Sequence, residues 1–253
     1  MSTMKLYWNE TRFEFLKMLR MPAYSVSTIA YPLAFYIMFG LVLPTSKIKG
    51  AGMEQYLLGT YGAFAVISAT VLSLGAGIAV ERGLGWLAVK RASPMPPSAY
   101  LVAKTLVALL FSLIVLVVLF GVGCFFGGVE MPLVRWFSAG GLLLLGSLPF
   151  TLLGIAIGML AGPNSAPGLV NMIHLPLAFF SGLWIPIAIM PEKLQQFATY
   201  LPYYHLGQIG LMGVGAHSQG TLLGHFGALI AFALLFAGII LWAQRRNSER
   251  MYG

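Results

Sequence analysis

Charge is what this sequence has least of. Of 253 residues only 15 are Lys or Arg and 7 are acidic, 9% in all, where a soluble domain carries about a quarter. Hydrophobic residues make up 58% and the mean hydropathy is +0.85. Cysteine is nearly missing: Cys124 stands alone in an apolar run, so no intrachain disulfide can form, and it reads as a small buried hydrophobe. No G-x-x-x-x-G-K-[ST] occurs, which excludes a Walker-type phosphate cradle of the chain's own. His174, His205, His217 and His225 show neither H-E-x-x-H nor Cys/His spacing, so no zinc set is expected and each reads as a histidine satisfied in a helix or loop. A G-x-S-x-G nucleophile elbow is missing too. No metal, cofactor or catalytic group is expected in this chain.

What is present is uncharged length. Glu54 and Glu81 bracket 26 residues without charge, Lys104 and Glu130 bracket 25, and Arg135 and Glu192 bracket 56. A helix crosses a bilayer with about 20 apolar residues, and a charge at mid-membrane costs roughly 2.5–3.5 kcal/mol. The sequence therefore predicts an all-α integral membrane protein of one domain, with six transmembrane helices near 22–43, 57–80, 100–127, 137–161, 167–190 and 222–243. The stretch "GPNSAPG" (162–168) reads as a tight turn between the fourth and fifth. The basic residues sort with this topology. Eleven (Lys5, Arg12, Lys17, Arg20, Arg82, Lys90, Arg91, Lys104, Arg245, Arg246, Arg250) fall inside and four (Lys47, Lys49, Arg135, Lys193) outside, if both termini are cytoplasmic. The net charge of +8 is thus spread over short loops, and nucleic acid is not an expected partner. No secretory signal pattern opens the sequence. Residues 191–221, rich in Gly, Tyr and Gln and weakly apolar around 197–215, read as an external region of one or two helices that enter the outer leaflet and return.

Residues 4–20 form an amphipathic helix. On a 100° wheel Met4, Tyr7, Trp8, Thr11, Phe15, Met18 and Leu19 share an arc, while Lys5, Asn9, Glu10, Arg12, Glu14, Lys17 and Arg20 take the rest. The expectation is a helix along the cytoplasmic interface, with Trp8 and Phe15 in lipid and Arg12 and Lys17 near headgroups.

Between the second and third spans lies "ERGLGWLAVKRASPMPPSAYLVAK" (81–104). Glu81 and Arg82 end one span, and Gly83–Leu84–Gly85 permits a sharp change of direction. A short helix over 84–91 follows, carrying Leu84, Trp86, Leu87, Lys90 and Arg91, until Pro94 and its neighbours stop it. Ser98 is placed to cap the third span, and Lys104 to snorkel back to the surface. A short, stiff, cationic protrusion over 81–99 suits the transmission of force.

Here the chain resembles the membrane subunits of type 2 ABC exporters, the group that includes drug, polyketide and polysaccharide export permeases. Glu81–Arg82–Gly83, then Pro94 and Lys104, is similar to that family's E-[KR]-x-x-G…P…K segment. Residues 175–215 are similar to its pattern of Ser-Gly in the fifth span, then Pro, Met-Pro and Leu-Pro before a re-entrant region. An arginine that many members carry after the Leu-Pro pair is missing.

The resemblance implies a non-catalytic permease that works as two six-span halves with two copies of an ATP-binding subunit. ATP and Mg²⁺ would be bound by that partner. It also implies export of an amphipathic or lipid-like substrate across the cytoplasmic (inner) membrane, with a second, identical permease subunit and membrane lipid as further partners. Residues 81–99 become the coupling helix seated in the ATPase, and 4–20 the interface helix that touches it. The second and fifth spans become the translocation path, bringing in Ser68, Thr70, Ser73, Asn171, His174, Phe179 and Phe180; ordinary interhelical hydrogen bonding is the alternative for each. The proposed spans hold no mid-membrane carboxylate of the kind that ion-driven carriers use, which fits a transporter powered by a partner. The competing function is an ATP-independent channel or facilitator.

Overall fold

A computed structural model of the chain describes residues 3–42, 52–92 and 96–252. Among them every regular element is helical. Pro94, Lys47 and Lys49 lie outside the described residues, as does the side chain of Arg91.

The order is α1 (Thr3–Leu19), α2 (Pro22–Tyr36, extended by a π-type turn over Ile37–Val42), α3 (Met53–Gly83), α4 (Trp86–Ala92), α5 (Pro97–Phe125), α6 (Leu133–Gly146), α7 (Leu148–Leu160), α8 (Ala166–Phe180), α9 (Glu192–Ala198), α10 (Pro202–Val214) and α11 (Leu222–Tyr252). Four helical stretches are long and apolar enough to cross a membrane: Met53–Gly83, Ser98–Phe125, Leu133–Leu160 and Leu222–Arg245. Thr28–Val42 and Ala166–Phe180 are shorter apolar helices.

α3 is the axle. It is apolar all round, and α2, α5, α7, α8 and α10 pack against it, so residues from Tyr56 to Glu81 are mostly buried within this one chain. α10 reaches it because Gly59 and Gly210 put backbone against backbone: a Cβ on Gly210 would sit 2.4 Å from the Gly59 carbonyl oxygen. The glycines that made 197–215 look weakly apolar are thus what lets α10 lie buried among α3, α6 and α11.

Several expectations are corrected. The expected span 137–161 lies within the single apolar stretch Leu133–Leu160, but that stretch is interrupted at Ser147 into α6 and α7, because Pro149 has no N–H to continue the ladder and Ser147 turns its hydroxyl onto the Leu144 carbonyl at 2.7 Å. The stretch 167–190 is helical only to Phe180; Gly182 then takes a φ of +75° and the chain turns. Ser98 caps nothing, since α5 begins at Pro97 and the Ser98 hydroxyl bonds the Tyr7 hydroxyl at 2.7 Å. Cys124 is exposed on the outer surface of α5, not buried. The arc of α1 expected in lipid is divided. Trp8 and Met4 are exposed, but Thr11, Phe15 and Met18 turn onto α5, where the Phe15 and Phe111 rings lie 5.5 Å apart.

Candidate functional site

Two features are built from residues that the fold brings together. The first binds α1, α3, α4 and α5 at one end of the molecule. Glu81, at the last turn of α3 and 7% exposed, accepts hydrogen bonds from Lys104 Nζ (2.7 Å), from the Tyr100 hydroxyl (2.6 Å) and from Lys17. Lys104 also pairs with Glu14 Oε2 at 2.8 Å. Glu14 pairs in addition with Lys17 (3.5 Å) and with Lys90 (3.2 Å), and Lys90 pairs with Glu10 and lies 4.5 Å above the Tyr100 ring. Three carboxylates thus face three ammonium groups, and the whole cluster is neutral. Lys104 is 4% exposed, so it does not snorkel; its counter-charges lie beside it. Glu14, assigned to the polar face of α1, is buried as well.

Burial works to raise the Glu14 carboxyl, but the charge and hydrogen bond of Lys104, with Lys17 beside them, hold it below the usual carboxylate value. Burial works to lower Lys17 and Lys90, and their bonds to Glu81 and Glu10 raise both above the usual lysine value. A depressed carboxyl stabilises the fold above its unfolded pKa and loses that contribution as pH falls through the folded one. A raised lysine stabilises below its unfolded pKa and loses that contribution as pH rises through the folded one. The attachment of α1 should therefore be flat from about pH 5 to 10 and loosen first below about pH 4. A spin label at Arg12→Cys, on the exposed face of α1, checks this; mobility that changes between pH 5 and 8 would contradict it.

Arg82 faces the other way and donates to the carbonyls of Met159 and Ala161, capping the end of α7. Gly83 lies against Pro163, and Gly85 has a φ of +76°. Together they aim α4 away from α3. On α4, Leu87 packs inward with Leu74, Ile78 and Tyr100, whereas Trp86 and Val89, and Leu84 in the turn before them, are 56%, 69% and 68% exposed. The result is an apolar tip held from behind by an ion cluster. Trp8 and Arg12 of α1 are exposed beside it, and Lys17 is half-exposed.

The second feature is a cavity of about 510 Å³ between α2, α3 and α8. Ser68, Asn171 and His174 line it. The His174 ring is nearly fully buried: its Nε2 lies 2.8 Å from Ser68 Oγ, its Nδ1 2.9 Å from the Tyr203 hydroxyl, and Phe64 stacks on it at 5.1 Å. Thr70 and Ser73 do not reach the cavity and bond carbonyls of their own helix. Phe179 and Phe180 pair with each other at the end of α8, and Phe180 meets Phe197 of α9. Sequence reasoning missed Thr28, Tyr31, Phe35, Trp184 and Tyr203; the aromatic content of α2 and the Trp after Ser-Gly were the available signals.

These features belong to a multi-pass membrane protein with a cavity among its helices and an anchored protrusion. Residues 6–216 match the ABC-2 type transporter family, and the chain belongs to it. It is 28% identical over 236 residues, 92% of this chain and 95% of the other, to a Bacillus subtilis (strain 168) protein described as "Putative transport permease YvfS". The family in general works with an ABC ATPase.

Proposed function

We propose that the chain is the membrane-spanning half of an ATP-driven exporter in the cytoplasmic membrane, paired with a second copy of itself and with two ATP-binding subunits that hold ATP and Mg²⁺. In this reading α2, α3, α5, α6 with α7, α8 and α11 are the six spans, both termini are cytoplasmic, and α9 and α10 form the outer re-entrant region. The observation that carries it is the α4 tip. Two exposed large apolar side chains on a seven-residue helix, Trp86 and Val89, with Leu84 exposed in the turn before it, are an unfinished interface, and the ion cluster behind them ties any push on the tip to α1, α3 and α5 together. Closure of the ATPase pair would tilt these helices as a body and open the cavity outward to release an amphipathic or lipid-like substrate.

The test is co-purification in mild detergent, comparing the wild type with Leu84→Asp/Trp86→Asp. The expected result is a partner that carries a Walker motif and hydrolyses ATP, recovered with the wild type and reduced about tenfold or more with the variant. If folded wild-type permease brings down no ATPase and passes solute in liposomes without nucleotide, the facilitator is the better reading.

A further inference from the structure

The polar end of the cavity has a direction. A serine hydroxyl has one proton, and that of Ser68 is donated to the Phe64 carbonyl at 2.7 Å. Towards His174 Nε2, 2.8 Å away, Ser68 Oγ must therefore accept, which places the imidazole proton on Nε2. His174 sits in the apolar interior with no carboxylate among its contacts, so the uncharged ring is the form that fits. Its Nδ1 is then bare, and the 2.9 Å contact with Tyr203 is a bond donated by the phenol. The chain of bonds runs one way, from Tyr203 through His174 and Ser68 to Phe64.

What remains open at Ser68 is its second lone pair, an acceptor. The indole N–H of Trp184, on the same cavity, is a buried donor without a partner among the described residues. Tyr31, Phe35 and Phe64 supply apolar walls, and among the described residues no Asp, Glu, Lys or Arg lines the space. A volume of about 510 Å³ suits one drug-sized molecule. An anion entering here would lose its water and find no cation in return.

We propose that Tyr203, acting through His174, is a positioning residue that keeps the Ser68 oxygen a hydrogen-bond acceptor. The cavity consequently takes an uncharged amphiphile carrying a hydroxyl or amide group, in preference to an anion such as a phosphate-linked lipid. This rests on reading the cavity as part of the translocation path.

The test uses the purified permease alone in nanodiscs, so it is independent of whether an ATPase couples to α4. The protein carries only four histidines, and ¹⁵N-histidine labelling resolves their side chains, with His174 assigned through His174→Gln. The expected wild-type spectrum has His174 protonated on Nε2 and bare on Nδ1, unchanged between pH 6 and 8. In Tyr203→Phe the two tautomers should mix. A wild type protonated on Nδ1, or a Tyr203→Phe ring still wholly in the Nε2–H form, overturns the positioning role.

Four probes then share one skeleton: 4-biphenylmethanol, its methyl ether, biphenyl-4-carboxylate and biphenylmethyl-trimethylammonium. The alcohol should shift the His174 signals saturably, the ether should need about tenfold more, and the carboxylate should not bind. Ser68→Ala should erase the difference between alcohol and ether, with the other three histidine signals unchanged as the check that the fold is kept. Equal binding of all four, binding of the carboxylate, preference for the ammonium probe, or binding of none overturns the substrate class.

Discussion

Glu81→Gln should leave the permease inserted in the membrane while the ATP hydrolysis expected of its partner under transport falls about tenfold or more. Removing one member of a buried ion pair costs about 3–5 kcal/mol because the other charge stays behind in a dry site. Here Lys104 stays behind, 4% exposed, Lys17 loses a counter-charge, and only one of the two oxygens shared by Tyr100, Lys17 and Lys104 can still accept. Glu14 still neutralises Lys104 at 2.8 Å, so the low end applies. About 1.4 kcal/mol is already a factor of ten in the population of the attached state. The second arm separates stability from coupling. Replacing both charges, Glu81→Met with Lys104→Met, removes the stranded ammonium and should recover most of the thermal stability, as apolar replacement of buried pairs commonly does. It cannot restore the bond from Lys17 that ties α1 to α3. ATPase stimulation in nanodiscs beside a thermal melt decides the matter: if the double variant regains coupling together with stability, the cluster is structural filler.

The membrane class was legible because runs such as 136–191 hold no charge, and hydrocarbon permits nothing else of that length. The turn at 162–168 and the stretch at 81–92 were legible because glycine and proline mark them locally. The ion cluster was not, and the reason is physical. Helical periodicity says which residues of α1 share a face, but an apolar neighbour helix and an acyl chain attract the same side chains. Glu10 and Glu14 were therefore sorted with the headgroup-facing residues, although Lys90 and Lys104, some 76 to 90 residues away, meet them in the fold. The cavity shows the converse error. Thr70 and Ser73 are polar residues in a membrane helix and look like path lining, yet each spends its hydroxyl on a carbonyl three or four residues back. Tyr203 escaped notice because residues 197–215 read as an outer accessory, whereas the Gly59–Gly210 contact draws α10 into the core.

Gly83→Ala should be the most damaging single-methyl change at the α4 end of the molecule. A Cβ built on Gly83 falls 2.5 Å from both Cβ and Cγ of Pro163, a ring that has no rotamer to retreat into. The 162–165 turn must move, and it cannot move freely, because Arg82 next door is bonded to the Met159 and Ala161 carbonyls. Overpacking of this kind costs about 1–3 kcal/mol. In a chain of this size that is a fall in melting temperature on the order of 5 °C, with loss of coupling because α4 departs from α3 at this residue. Gly85→Ala is the internal control. Its Cβ would meet open space, so only the left-handed backbone at φ +76° is strained, at about 1–2 kcal/mol. That strain is confined to the entry of α4 and should shift the tip without disturbing the α3–α7 contact. Melting curves and ATPase coupling of the two variants should therefore diverge, with Arg82 disengaged only in the first. Pro163→Gly added to Gly83→Ala deletes both clashing carbons and should restore the coupling. Failure of that rescue, or a Gly83→Ala protein as stable as the wild type, would mean that α4 is not held in place by the seat against the 162–165 turn.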